Sequence, residues 1–362
     1  MSDIGSSSAF FPSRPAFLVD GEEVASLAAG LLGMAIAEST EGLFSCEACF
    51  GNWGSGANGI GFLYFDRDVL DFGKALSIEM GDGDARAPVF DGRIMALEGR
   101  FPRQRQPELM VLAEDRCQDL RMTRRTRTFE DVSDAQVFEQ IAGDHGLRAE
   151  IDVDGPEHRT LAQLNQSDLA FLRERARAID AEVWVEGEAL FAQARARRRA
   201  AAEVTLTYGQ GLRELSVTAD LAGQRTAVAV SGWDVAAKEG ILESADESVL
   251  GSELDGGIGG ATLLAETLGE RTEQMAHCVP LTGSEALAAA EAGYRRLARR
   301  FVHGEAVAEG DARLKVATHV VLAGLGPLFD GGYYVTRVRH TFDGRDGFLS
   351  RLSIERPGLG GA

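Results

Sequence analysis

The sequence predicts an α+β fold that is mainly β, in the order β, small α/β unit, β, helical insertion, β. Three observations predict it. Apolar residues recur with period two in many short segments; in residues 43–50, for example, Phe44, Cys46, Ala48 and Phe50 share one face. Gly is abundant at 43 residues and Pro scarce at 9, a balance that suits tight turns between strands. The period lengthens to that of a helix within residues 133–179 and again within 261–302.

A chain of 362 residues has room for two or three domains, and 44% apolar with 26% charged residues is a globular mixture that excludes disorder of the whole. Residues 1–14 are Ser-rich and read as a flexible N-terminus. Residues 15–127 read as a first β-domain. It includes a strand at 60–65, a turn at 81–84, and strands at 89–90 and 94–97 flanking Asp91-Gly92, a two-residue hairpin signal. Residues 109–113 close this set. Short strands at such spacing suggest a sandwich or barrel.

Residues 128–203 read as a small α/β domain. Ser133 suits an N-cap with Gln136 three residues on, as in a capping box. Val137, Phe138, Ile141 and Ala142 form a stripe, and Gly146 suits the position after the helix. A second helix follows Ser167-Asp168, with Leu169, Leu172, Ala176 and Ile179 on one face, then a strand at 182–185 and a turn at Gly187. Residues 204–242 with 304–357 read as a second β-domain, with strands at 204–208, 215–218, 226–230, 314–318, 319–322, 333–342 and 349–354. Between its two parts, residues 243–303 read as an acidic mobile loop (243–260) and two helices, 261–271 and 285–302, the latter ended by Gly304. Residues 358–362 read as a flexible C-terminus. Residues 109–115 and 228–234 share their alternation and a terminal Asp, either a trace of duplication or a chance match.

The net charge is −19, from 56 acidic and 37 basic residues. A field of that sign opposes phosphate backbones and anionic lipid, so no stable nucleic-acid binding is expected. No run of 18 apolar residues appears, so no membrane insertion is expected. The first 16 residues lack the pattern of a secretory signal, which implies synthesis in the cytoplasm. Four cysteines, Cys46, Cys49, Cys117 and Cys278, are too few and too scattered for a disulfide framework.

Residue patterns with catalytic or binding potential read as structural. Gly54-Ser55-Gly56-Ala57-Asn58-Gly59 fits G-x-G-x-x-G, but a strand pattern follows where a dinucleotide site needs a helix. Residues 256–260 precede a helix yet follow an acidic run, without Gly-Lys-Ser/Thr. Cys46 and Cys49 form a lone C-x-x-C, and three residues apart on a strand they point to opposite faces. His277-Cys278 is isolated, and His145, His158, His303, His319 and His340 are dispersed. There is no H-E-x-x-H and no G-x-S-x-G. No catalytic residue, metal ligand or cofactor site is therefore predicted. Two arginine clusters stand out: Arg116, Arg121, Arg124, Arg125 and Arg127, then Arg195, Arg197, Arg198 and Arg199. They suit either an anionic partner or forks that tie domains or subunits to the abundant acids; the global charge favours the second.

Five segments in order resemble the phage late control D family, the tail baseplate hub proteins whose module also forms the front end of VgrG spikes. They are Phe90-Asp91-Gly92-Arg93-Ile94; residues 124–129 with 137–141 and Gly146-Leu147; Gln163 to Leu172 as Q-x-x-x-S-D-x-x-F-L; Val230-Ser231-Gly232-Trp233-Asp234; and residues 332–342, which resemble the family's closing G-x-Y-x-V-x-x-V-x-H segment. The resemblance spans residues 15–357. It implies two tube-type β-barrel domains per chain with an intervening small α/β domain and a helical insertion. It also implies a homotrimer without catalysis. Three chains would present six near-equivalent barrels and join a hexameric inner tail tube to a trimeric spike, among other baseplate proteins of a phage tail or phage-tail-like injection particle. VgrG chains continue into an OB-fold and a β-helical spike, whereas this sequence stops at Ala362, so the expectation is a separate spike protein. The competing expectations are a baseplate-associated peptidoglycan hydrolase and a glycan-binding tip module.

Overall fold

A computed structural model describes residues 14–56, 59–81, 86–200, 203–235, 237–276 and 278–360. The first unit holds β1 (Ala16–Val19), β2 (Glu22–Glu23), α1 (Ala25–Gly30), β3 (Leu31–Ser39), β4 (Ser45–Gly51), β5 (Gly54–Gly56), β6 (Gly59–Gly61), β7 (Ala75–Met80), β8 (Ala87–Arg100) and β9 (Glu108–Glu114). Alternation builds it: along β4, Cys46, Ala48 and Phe50 are buried while Glu47 is exposed. Six strands lie in the order β1-β7-β8-β9-β4-β3 around Phe17, Ile36, Phe50, Ile78, Phe90 and Val111. β1 and β3 do not pair, and α1 packs on β1 and β4 with Leu27 in the core.

The hairpin expected at Asp91-Gly92 does not form. β8 runs through it as one 14-residue strand. A Cβ on Gly92 would stand 2.4 Å from the Glu114 carbonyl oxygen, so this glycine serves close strand approach and not a turn. The expected strand at 60–65 shrinks to Gly59–Gly61, and residues 82–84 of the expected turn lie outside the described residues, as do residues 1–13.

The next region holds α2 (Cys117–Arg121), β10 (Arg124–Ser133), α3 (Asp134–Asp144), β11 (Arg148–Asp152), β12 (Glu157–Ser167), α4 (Asp168–Ala178), β13 (Ala181–Glu186) and β14 (Ala189–Ala194). β10 pairs with β12, and β11-β14-β13 form a mixed sheet on which α3 and α4 pack. The capping box is present: Ser133 Oγ accepts the Gln136 N–H, and the Gln136 side chain accepts the Ser133 N–H. Gly146 follows α3 at φ 63°. Phe129 and Phe171 stack at 5.7 Å over the core.

The rest of the chain holds β15 (Val204–Tyr208), β16 (Gly211–Ala219), β17 (Ala227–Asp234), β18 (Glu239–Asp246), a 3-10 segment Glu247–Leu254, β19 (Ile258–Gly259), α5 (Gly260–Leu268), β20 (Thr272–Met275), α6 (Gly283–Ala298), β21 (Val302–Glu309), β22 (His319–Ala323), β23 (Gly331–Asp343), β24 (Gly347–Arg356) and β25 (Gly358–Leu359). Six of these strands close a barrel in the order β15-β22-β23-β24-β21-β16, and β16 meets β15 again at Thr207–Gly211 and Tyr208–Leu212. The fold is thus mainly β with a closed six-stranded barrel. Chain order and spatial order correspond between units: β1, β3, β4, β7, β8 and β9 occupy the places of β15, β16, β21, β22, β23 and β24.

Several boundaries differ from expectation. Residues 226–242, assigned to the second β-domain, belong to the insertion: β17 pairs only with β18 and β20. The reason is α6, whose Ala286, Ala290 and Tyr294 need an apolar sheet face, which Val228, Val230, Ile241 and Ala245 supply. Residues 228–234 therefore cannot be the counterpart of β9; β24 is. The acidic stretch 243–260 is not a loose loop. It finishes β18, and Glu247 accepts bonds from Thr262 N–H and Oγ–H at the start of α5. Residues 314–318 form turns, with Leu314 N–H on Asp311 O and Thr318 N–H on Lys315 O. Gly304 lies inside β21, not at a helix end. In the expected flexible C-terminus, Gly358–Leu359 pairs with Ile258–Gly259, while residues 361–362 lie outside the described residues. No helix among the described residues is long and apolar enough to cross a membrane.

Candidate functional site

The glycine motif at 54–59 falls on the β5–β6 hairpin, with residues 57 and 58 outside the described residues. At the 256–260 motif, the N-terminus of α5 is occupied by the Glu247 carboxylate, where an anion would have to sit. Cys46 is buried and Cys49 lies on the opposite face of β4, its Sγ 3.7 Å from Glu108 Oε2. Burial and then the Glu108 charge push the Cys49 thiol up, which suppresses the thiolate. His277 lies outside the described residues and Cys278 is half-buried. Among the described residues no three His, Cys, Asp or Glu side chains converge on a metal position.

Four of the other histidines, His145, His158, His319 and His340, join packed elements. His145 faces Asp168 at 2.8 Å. His158 bridges Asp134 at 3.0 Å and Glu285 at 2.7 Å, linking β12 and α3 to α6. His303 faces the Arg300 carbonyl and His319 faces Glu203. His340 is buried between Ser350 and the Leu314 carbonyl.

The arginine clusters act as forks between elements. Arg125 and Arg127 converge on Asp168, which is 1% exposed and also accepts from Gln163. Burial alone would raise the Asp168 pKa; the His145 and Gln163 hydrogen bonds and the two arginines outweigh it and lower it. Ser167 caps α4 beside them. The Gln163–Leu172 segment is therefore a structural motif that ties α4 to β10. Arg195 joins Glu182 and Glu355, and Arg198 joins Glu182 at 2.8 Å while lying over the Trp184 ring. Tyr334 O–H donates to the same Glu182, so β13 is fastened to β23 and β24. Arg197 pairs with Asp152 and Asp154. The sequence reading did not single out Arg299, which is 2% exposed and forks onto Asp180 and Glu253. Its only sequence signal was a charge next to the apolar face of α6.

The junction between the two units is itself a β-ladder. β3 pairs antiparallel with β23 from Arg337–Ser39 to Asp343–Gly33, so both units share one 13-stranded sheet. Phe342 crosses this seam into the first unit's core. The ladders of the two units also agree residue by residue. β8 on β9 shifts register between Ile94 and Ala96, and β23 on β24 between Val335 and Arg337. β3 on β4 shifts between Leu31 and Gly33, and β16 on β21 between Leu212 and Glu214. Bulges at matching places in two ladders mark one architecture used twice. Large apolar side chains remain exposed at the end of the first unit: Trp53, Phe62 and Phe101, with Trp53 and Phe62 edge-to-face at 5.2 Å.

Residues 58–343 match the family model described as Alg8 N-terminal domain. No curated protein sequence matches the chain. Among solved structures, the fold is similar to that of the prophage MuSo2 43 kDa tail protein from Shewanella oneidensis, with a TM-score of 0.68 and 14% identity over 95% of this chain and 98% of that one. It is similar to the tail protein from Neisseria meningitidis MC58, with a TM-score of 0.67 and 11% identity over 96% and 98%. It is also similar to an E. coli component of the type VI secretion system, itself described as similar to T4 bacteriophage tail proteins gp27 and gp5, with a TM-score of 0.56 and 11% identity over 92% and 76%. At these identities the likeness is one of fold.

Proposed function

We propose that this chain, which belongs to the Alg8 N-terminal domain family, is a structural hub of a phage-type tail baseplate, of the late control D kind. In this reading three copies form a ring that joins a six-fold inner tube to a three-fold spike. The carrying observation is that one chain holds the same six-strand order twice, in a fold shared with tail proteins over nearly its whole length. A six-fold tube can seat on a three-fold ring only if each subunit offers two near-equivalent surfaces. Among the described residues, His145, His158, His319 and His340 and the carboxylates and carbonyl they face hold elements together, which supports a role without chemistry. Synthesis in the cytoplasm and assembly into the baseplate, without stable nucleic-acid binding, complete the reading.

Mass determination in solution tests it, on the chain alone and mixed with a candidate spike protein from the same particle. The expected species is three chains of 38.8 kDa, alone or upon mixing. A monomer under both conditions, or cleared bands in a peptidoglycan zymogram, would refute it.

A further inference from the structure

We propose that a second copy of this chain lays the free edge of its β16 along the outer half of β8, continuing the sheet between molecules in the register that β3 and β23 use within one. The inference rests on the multi-copy reading above and adds the contact surfaces and their alignment.

β23 uses one edge twice: residues 331–334 pair with β22, and residues 337–343 pair with β3. β8 has the same layout. Residues 87–93 pair with β7, and the outer half has β9 on one side. On the other side, among the described residues, no backbone hydrogen bond reaches residues 95–100. The complementary edge is also present and open. β16 occupies the place of β3; it pairs with β21 on one side, and on the other only Gly211 and Leu212 meet β15. One molecule thus contains a closed seam plus the two separate halves of an identical one. Unpaired strand edges of this kind are sites for adding another strand.

The side chains report what is missing. Phe342 on β23 is 6% exposed because the seam covers it, whereas Phe101, at the same place beyond β8, is 67% exposed. Met34 and Ile36 on β3 are buried, whereas their counterparts Leu215 and Val217 on β16 are only half-buried. Transferring the seam by its matched bulges sets Leu97 opposite Ala219, Glu98 opposite Thr218, Gly99 opposite Val217, Arg100 opposite Ser216 and Phe101 opposite Leu215 of the second copy. No like charges oppose each other in this register. Pro102, without an N–H, ends the ladder. The two edges differ, so the contact is head-to-tail and propagates from copy to copy until a ring closes.

Cysteine pairing tests the register. Glu98 and Thr218 are exposed and opposed, and antiparallel partners lie about 4.5–5.5 Å apart at Cα, within disulfide range. The full-length double variant Glu98→Cys/Thr218→Cys is expected to give covalent oligomers on a non-reducing gel after mild oxidation. Each single variant, the wild type and the diagonal pair Glu98→Cys/Ser216→Cys are expected to stay uncrosslinked. Linked species that stop at three chains support both the seam and the three-copy reading, and a longer ladder supports the seam while removing the three-copy ring. A three-chain assembly that does not link at 98/218 overturns the seam and leaves the three-copy reading standing. A monomer that does not link overturns both. Phe101→Ser, a change at an exposed position, is expected to weaken association about tenfold; unchanged association would count against the seam.

Discussion

The buried histidine of the closed barrel makes a quantitative test of its packing. His340 is 3% exposed on β23. Nε2–H donates to the Leu314 carbonyl oxygen at 3.0 Å. Ser350 Oγ lies 2.9 Å from Nδ1; with the ring neutral and its single N–H on Nε2, Nδ1 is an acceptor and takes the Ser350 O–H, while Ser350 Oγ accepts the Asp311 N–H. Burial is the main cause that pushes the pKa down to about 4, against an opposing contribution from the Leu314 hydrogen bond. Unfolded histidine titrates near 6.5. Between these values the unfolded chain holds the extra proton, so stability is full above about pH 6.5 and falls as pH drops toward 4. A shift of about 2.5 pH units corresponds to about 3 kcal/mol. His340→Gln removes the titration. Hydrogen exchange of β23 and β24 peptides, which reads this barrel itself, should show the wild type losing about 3 kcal/mol more than the variant between pH 7 and pH 4. Parallel pH profiles would refute the assignment of a neutral buried ring.

His158 should behave with the opposite sign. Burial opposes its charge, but the Asp134 and Glu285 bonds outweigh that and raise its pKa, so its contribution is full below about pH 6.5 and disappears as pH rises through the raised value; exchange of α6 in wild type and His158→Gln from pH 6 to 9 reads it. Arg299→Met removes the cation that Asp180 and Glu253 share and leaves Asp180 only Arg295 at 3.9 Å, and a loss of about 3–5 kcal/mol is expected in urea unfolding of the insertion. A loss below about 1 kcal/mol would show that the fork is a weak surface pair. Gly92→Ala forces β8 off the Glu114 carbonyl and should cost about 1–3 kcal/mol, read as a drop in thermal midpoint.

Local chemistry was legible in the sequence where it is decided locally. Ser133 with Gln136 and Ser167 with Asp168 mark real helix starts, because a cap involves residues three apart. The opposite faces of Cys46 and Cys49 follow from strand period alone. Asp91-Gly92 misled because a turn dipeptide also suits a strand that needs a missing side chain, and only the neighbouring Glu114 carbonyl distinguishes the two. Val228 to Val230 alternates like a barrel strand, yet α6, some 60 residues on, claims it. The two related β-units were expected, but the echo between residues 109–115 and 228–234 paired the wrong strands, for a related reason. Val335 and Ile94, or Leu352 and Val111, share apolar character and ladder position but not identity, so the repeat resides in register and bulges. The β3–β23 seam joins residues about 300 apart, beyond any local pattern.

That seam also sets how the chain can bear load. Ladder hydrogen bonds run across the strands, so a pull parallel to β3 and β23 strains the rungs from Arg337–Ser39 to Asp343–Gly33 together, while a pull at right angles to them opens the rungs one after another. The two halves are joined with no linker at this point that could act as a hinge. They should tilt and travel as a single stiff plate, strong against sliding and weaker against peeling.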